Sequence, residues 1–147
     1  MRSQSLIPIF VVIVGVLALS GCGARGDPVP HQRRPPAPCV VRAINLRTIE
    51  AILPTRDIQG NFLPGIEAVR VYYLPMSADH PSALDVFQRG EAIMERRRPD
   101  IPDPGKKIIM DLSHFGRSSG WLVVVPFRVG NIPGTPSQIL PWFDPAF

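Results

Sequence analysis

The sequence predicts a mainly β fold, a β-sandwich of short strands, for the greater part of this 147-residue chain. Three observations point to it. From Val40 onward, apolar and polar residues alternate in several short segments, and a period of two is typical of half-buried strands. The 18 prolines argue against a helical bundle, because proline ends helices. Turn residues recur between the alternating segments, as they do in sandwiches.

The charge of the chain is modest and scattered. The formal net charge is +4 and the isoelectric point is near 9.7. Such an excess suits a surface near anionic lipid, but it is too weak to indicate binding to DNA or RNA. We therefore expect no nucleic acid among the partners.

The first 21 residues have the composition of a signal peptide. A short polar and positive start is followed by an almost wholly apolar run from Leu6 to Leu19. This run is shorter than the roughly 20 residues that a helix needs to cross the bilayer core. We expect residues 1–21 to be a helical signal peptide that is removed, not a membrane-spanning anchor.

The leader ends in a cysteine motif. The tetrapeptide Leu19-Ser20-Gly21-Cys22 resembles the bacterial lipobox, [LVI]-[AST]-[GA]-Cys, at every position. The resemblance implies that Cys22 receives diacylglycerol, that cleavage falls between Gly21 and Cys22, and that the new amino group is acylated. A thiolate is well suited to attack a lipid donor and form the thioether. The alternative is an ordinary signal peptide with a chance cysteine.

Residues 22–37 form a linker of different composition. They are dense in proline and show no periodicity, which favours an extended, disordered and semi-rigid stalk. Residues 21–28 also resemble the Gly-Cys-Gly-x-[Lys/Arg]-Gly start of many small outer-membrane lipoproteins. Because Gly23, and not aspartate, follows the cysteine, the resemblance implies the outer membrane, with the domain facing the periplasm.

The alternating segments predict strands in order along the rest of the chain. Residues 40–46 predict the first strand, residues 55–61 a loop, and residues 138–142 the last strand. Three further segments present alternate apolar residues on one side: Ile49, Ala51 and Leu53; Val69, Val71 and Tyr73; Ile108, Met110 and Leu112. This spacing predicts strands with one buried face.

The strongest predicted strand spans residues 120–129. Its alternation places Val123, Val125 and Phe127 in the core, with Leu122, Val124 and Arg128 facing the other way. Pro126 lies inside this strand and removes a donor from the hydrogen-bond ladder. A bulge would accommodate it.

The middle of the chain admits two interpretations. Ser82 followed by Asp85 is the pattern of a capping box, which would begin a short helix. Alternatively, Val86-Phe87 pairs with residues 92–94 across Arg89-Gly90 as a hairpin. We favour the hairpin, because Gly90 interrupts any longer helix.

Three adjacent arginines, Arg96, Arg97 and Arg98, precede an exposed proline-rich loop at residues 99–105. Together they could contact the phosphates of lipid, lipopolysaccharide or a cell-wall polymer. The simpler interpretation is a solvated strand end, which is what a run of charges usually forms.

Most of the chain from Pro38 to Trp142 resembles a known domain family. In residues 127–137 an Asn, a Gly and a Ser follow an alternating aromatic and aliphatic strand, similar to the end of a fibronectin type III domain. Residues 65–73 resemble the third strand of that family, and Asp111-Leu112 resemble the leucine ahead of its corner. The resemblance implies an immunoglobulin-like (fibronectin type III-like) β-sandwich over residues 38–147.

No common catalytic or metal-binding motif is recognisable in the sequence. The chain lacks HExxH, GxSxG, a phosphate loop and a metal-spaced cysteine pair. We expect Cys39 to be a small buried residue; a reactive thiol is the alternative.

The sequence therefore predicts a lipid-anchored, non-catalytic binding or scaffold module without cofactor or metal. The expected partners are membrane lipid, through the anchor, and an envelope protein or polymer. The alternative is a small cell-envelope hydrolase, or another enzyme with an unrecognised site.

Overall fold

The computed structural model describes residues 34–77, 79–116 and 118–143. The expected signal peptide, with Gly21 and Cys22, lies outside the described residues. Within them, no helix is long and apolar enough to cross a membrane. The elements are β1 (Val40–Asn45), β2 (Thr48–Ile52), β3 (Ala68–Pro75), α1 (Ala83–Arg89), β4 (Glu91–Arg97), β5 (Lys107–Asp111), β6 (Gly120–Arg128), β7 (Ile132–Pro133) and β8 (Leu140–Trp142).

The strands form two antiparallel sheets. The small sheet has the order β1-β2-β5, and the large sheet has the order β4-β3-β6-β7, with β8 also pairing with β6. In the small sheet Ile49 lies opposite Met110, and in the large sheet Val71 lies opposite Val124. The prediction of a mainly β chain with two sheets is confirmed.

The main hydrophobic core takes alternate residues from both sheets. The small sheet contributes Val41, Ile49, Ala51, Ile108 and Met110; the large sheet contributes Val69, Val71, Tyr73, Leu122, Val124, Leu140 and Trp142. The predicted one-sided burial of β5 is confirmed, because Ile108 and Met110 lie in the core and Ile109 between them is exposed. The predicted core residues of β2 and β3 are buried, but so are Glu50 and Ala68 on the opposite faces of these strands, so their burial is not one-sided. The core therefore follows the period of two that the sequence shows.

Strand β6 is buried on both faces, which corrects the predicted orientation. Leu122 and Val124 lie in the main core, so the prediction that their side chains face away from the core is wrong. Val123, Val125 and Phe127 form a second buried cluster on the outer face of the large sheet. Helix α1 covers this face, and its Val86 belongs to the same cluster.

The favoured hairpin in the middle of the chain is wrong, and the helical alternative is correct. The Ser82 side chain accepts the Asp85 backbone N–H at 3.1 Å, while the Asp85 carboxylate accepts the Ser82 backbone N–H at 2.8 Å. This capping box starts α1. Gly90 caps its C-terminal end by donating its N–H to the Val86 carbonyl, so that glycine limits the helix without preventing it.

Pro126 is accommodated without a bulge against β3. The register between β3 and β6 runs unbroken from Ala68 opposite Phe127 to Pro75 opposite Gly120. The Val124 N–H points away from β3, toward the Ser137 hydroxyl at 2.9 Å. Because alternate residues of a strand point their N–H groups the same way, the nitrogen of Pro126 also faces away from β3. The expected bulge is therefore unnecessary.

Candidate functional site

An apolar pocket opens between the two sheets at one edge of the sandwich. It has a volume of about 470 Å³. Its walls come from the end of β1, the turn into β2 and strand β8, each of which borders an edge. The lining residues are Ala43, Ile44, Asn45, Leu46, Ile49, Leu122, Leu140, Pro141, Trp142 and Phe143. We call this the edge pocket.

The edge pocket is apolar, and its rim is exposed. Asn45 is the one polar side chain among its described lining residues, and none of these residues is titratable. Leu46 is 58% exposed, and Ile44 and Phe143 are also exposed. A contiguous apolar rim around a concave surface is typical of a ligand or partner site.

The turn between β1 and β2 holds Leu46 at the rim. The side-chain oxygen of Asn45 accepts the Arg47 backbone N–H at 2.8 Å, and Asn45 lies opposite Thr48 in the ladder. An asparagine that bonds the backbone two residues later is a common way to fix a tight turn. The exposure of Leu46 is therefore set by a hydrogen-bonded turn.

The free edge of β1 is only partly covered. Gln138 donates its side-chain N–H to the Val41 carbonyl at 3.0 Å, which occupies this edge above the pocket. Since alternate residues of a strand point their backbone groups the same way, the N–H and C=O of Ala43 face the edge where the pocket opens. An extended ligand in the pocket would reach these backbone groups.

Trp142 adds a buried donor to the pocket wall. It is almost fully buried, and its indole N–H has no hydrogen-bond partner among the described residues. A buried donor without an acceptor typically costs about 1–3 kcal/mol. The indole nitrogen is itself buried from solvent, so this cost lies inside the fold and not on the open surface of the edge pocket.

The three predicted contact residues, Arg96, Arg97 and Arg98, lie together at the exposed end of β4, but their side chains diverge. Arg97 forms an ion pair with Glu95, and the Nε of Arg98 donates to the Ile66 carbonyl at 2.9 Å. In the part of the chain that is described, the Arg96 side chain makes no hydrogen bond or ion pair. Arg97 lies on the opposite face of β4 from Arg96, and Arg98, which follows the strand, is held at the Ile66 carbonyl, so no single anion site is built from all three arginines.

Burial and hydrogen bonding shift the pKa values of two groups, the Cys39 thiol and the Asp111 carboxyl. Burial raises the pKa of the Cys39 thiol to about 12, and Cys39 is 3% exposed, so the prediction of a buried residue is confirmed. Asp111 accepts the Ser113 backbone N–H at 2.8 Å, and this hydrogen bond lowers the pKa of its carboxyl. The described residues contain no group of three or more metal-ligating side chains.

The sequence did not reveal the edge pocket. Leu46, next to Asn45 at the end of the first predicted strand, was the available signal, because an apolar residue in a tight turn has little of its own chain to pack against. Trp142 and Phe143 gave no such signal, since their approach to β1 depends on the packing of the two sheets.

No protein-family model matches this sequence. No curated protein matches it either.

Proposed function

We propose that this chain is a membrane-anchored lipoprotein whose sandwich is a non-catalytic binding module of the cell envelope. The edge pocket is the observation that carries the binding role. Its described walls are apolar, its rim is exposed, and it lacks the converging titratable groups that acid–base chemistry needs. The lipobox-like residues that end at Cys22 support the anchor.

The finer fold assignment, an immunoglobulin-like sandwich of the fibronectin type III kind, belongs to this proposal. Residues 65–73 and 120–129, which resemble the third and penultimate strands of that family, contain most of β3 and all of β6. These two strands are neighbours in the large sheet. Such sandwiches present loops and edges for binding while the two sheets supply a rigid support.

The edge pocket favours an apolar segment of an envelope protein as its ligand. The lining offers apolar surface and the backbone groups of Ala43, which suit an extended peptide that adds to a sheet edge. A polyanionic polymer would instead use Arg96, Arg97 and Arg98, which diverge and are partly engaged. The proposal requires no cofactor or metal.

Site-specific photo-crosslinking in the native envelope tests the binding role. A photoreactive amino acid replaces Leu46 in the full-length protein, and the same amino acid replaces Ile109 as a control. Ile109 is 60% exposed but lies on β5, outside the edge pocket. We expect one discrete crosslinked partner from position 46 and none from position 109. Equal yields at the two positions, or no product at position 46, would contradict the proposal.

A further inference from the structure

A second apolar surface lies near residues 35–37, at the start of the sandwich. It is carried by a hydrogen-bonded loop. Residues 56–62 form a tight loop around Asp57, a buried carboxylate. One oxygen of Asp57 accepts the backbone N–H of Gln59 at 2.9 Å and that of Asn61 at 3.0 Å. Gly60 adopts a φ of 84°, which a side chain would disfavour.

The same loop is fastened to the entering chain. The Ala37 N–H donates to the Arg56 carbonyl at 3.0 Å, and the Ile58 N–H donates to the Pro35 carbonyl at 3.1 Å. The loop and residues 35–37, the last residues of the predicted linker, therefore form one hydrogen-bonded unit. The prediction of a disordered linker is wrong for these three residues, because they pair with the loop.

This unit presents large apolar side chains to solvent. Phe62 is 78% exposed, and Ile58 is also exposed. Ile58 borders a shallow groove of about 260 Å³, whose other described lining residues are Pro35, Leu84, Phe87, Pro133, Gly134, Thr135 and Pro136. None of these lining residues is charged. We call Phe62 and this groove the entry surface.

We propose that the entry surface docks on the membrane to which the lipid anchor attaches the protein. The inference rests on the proposed anchor at Cys22. Eleven residues lie between Cys22 and Arg34, and the twelve steps from one to the other span at most about 43 Å. Because Pro35 lines the groove, the tether holds the entry surface within that distance of the bilayer.

The charge around the tether fits an anionic lipid surface. Arg25, Arg33 and Arg34 lie in the linker sequence, and Arg56 is exposed at the base of the loop. Arginines near anionic headgroups add attraction to the burial of apolar side chains at the interface. An exposed aromatic side chain such as that of Phe62 is buried favourably at the boundary between headgroups and acyl chains.

Docking in this way leaves the edge pocket available. The groove and the edge pocket share no lining residue. A lipid contact at the entry surface and a protein ligand in the edge pocket are therefore compatible.

Fluorescence quenching in reconstituted vesicles tests the proposal. The full-length lipidated protein is placed in vesicles of phosphatidylethanolamine and phosphatidylglycerol, with single labels introduced by Phe62→Cys, Ile58→Cys or, as a control, Ile109→Cys. The buried Cys39 thiol, with its raised pKa of about 12, does not compete for the label. We expect the fluorescence emission of the labels at positions 62 and 58 to shift to shorter wavelength and to be quenched by spin-labelled lipids. The emission of the label at position 109 should neither shift nor be quenched.

Two outcomes would overturn the proposal, and they are distinguishable. If the protein floats with the vesicles but labels 62 and 58 are quenched no more than label 109, the docking is wrong and the anchor stands. The groove would then be a surface for a protein partner. If the protein does not float with the vesicles, the anchor itself is wrong and the docking proposal fails with it.

Discussion

Glu50 is a charged residue on the outer face of the small sheet, held between two cations. Its carboxylate lies 2.7 Å from the Arg42 Nε and 3.5 Å from the Lys107 Nζ. The hydrogen bond from Arg42 is the main cause that lowers the pKa of the Glu50 carboxyl, and Lys107 adds to it. Arg42 belongs to β1, Glu50 to β2 and Lys107 to β5, so these ion pairs connect all three strands of the small sheet on its outer face.

The substitution Glu50→Gln should change how stability depends on pH. Because the folded pKa of Glu50 is lowered, its contribution to the free energy of unfolding is present above the unfolded pKa of about 4.3 and is lost as pH falls through the folded pKa. We expect the variant to be less stable than the wild type at pH 7 and to match it in strong acid. Denaturant unfolding of both proteins from about pH 2 to about pH 7 measures the difference in their free energies of unfolding. A constant gap over that range would contradict the ionic role of Glu50.

Pro126 shows what a single residue can and cannot predict. The sequence correctly identifies a lost ladder donor. It does not tell which neighbour loses the bond, because that depends on the direction in which the nitrogen faces. In the structure the Pro126 nitrogen faces residues 133–137. There Gly134 donates its N–H to the Pro126 carbonyl at 2.7 Å, and the short strand β7 ends at Pro133.

At the scale of elements, β6 is the strand on which both hydrophobic clusters depend. Leu122 is 1% exposed in the main core, and Phe127 is 3% exposed in the outer cluster, where the Arg70 guanidinium lies 4.1 Å from its ring centre. Adjacent residues of one strand thus serve opposite faces of the sheet.

Truncation on either face of β6 should therefore destabilise the domain. We expect Leu122→Ala to cost about 2–5 kcal/mol and Phe127→Ala about 3–5 kcal/mol, because each removes buried apolar area and leaves a cavity. Ile109→Ala, at an exposed strand position, should stay within about 0.5 kcal/mol of the wild type. Denaturant unfolding of a chain that begins at Arg33 measures all three. A small effect at either buried position would mean that its face is not packed as described.

The accuracy of the sequence predictions varied with the range of the interactions. Periodicity located β2, β3 and β5, because the alternation of their core residues appears directly in the residue order. It did not show that the other face of β3 is also packed, where Ala68 belongs to the outer cluster. It oriented β6 incorrectly, since α1 comes from a distant part of the chain to cover the second face. The capping box of Ser82 and Asp85 identified α1 locally, and the preference for a hairpin gave Gly90 too much weight against it. The edge pocket, formed by β1 and β8, is a property of the tertiary arrangement.

At the scale of the whole molecule, the residue after the proposed anchor predicts the destination. Gly23, and not aspartate, follows Cys22. Resemblance to lipoproteins then implies the outer membrane, with the sandwich on the periplasmic side. We expect density-gradient fractionation of the host envelope to recover the protein with outer-membrane markers. Recovery mainly with inner-membrane markers would show that this assignment is wrong.

The lipid anchor is the claim on which the account of the whole molecule rests. Mass spectrometry of the N-terminal peptide, purified from the host membrane, tests it most directly. We predict that the mature protein begins at Cys22 and that this residue carries the mass of a diacylglycerol thioether and an amide-linked acyl chain. Cys22→Ala should accumulate as uncleaved precursor without lipid. An unmodified Cys22, or a mature protein that begins at another residue, would contradict the account.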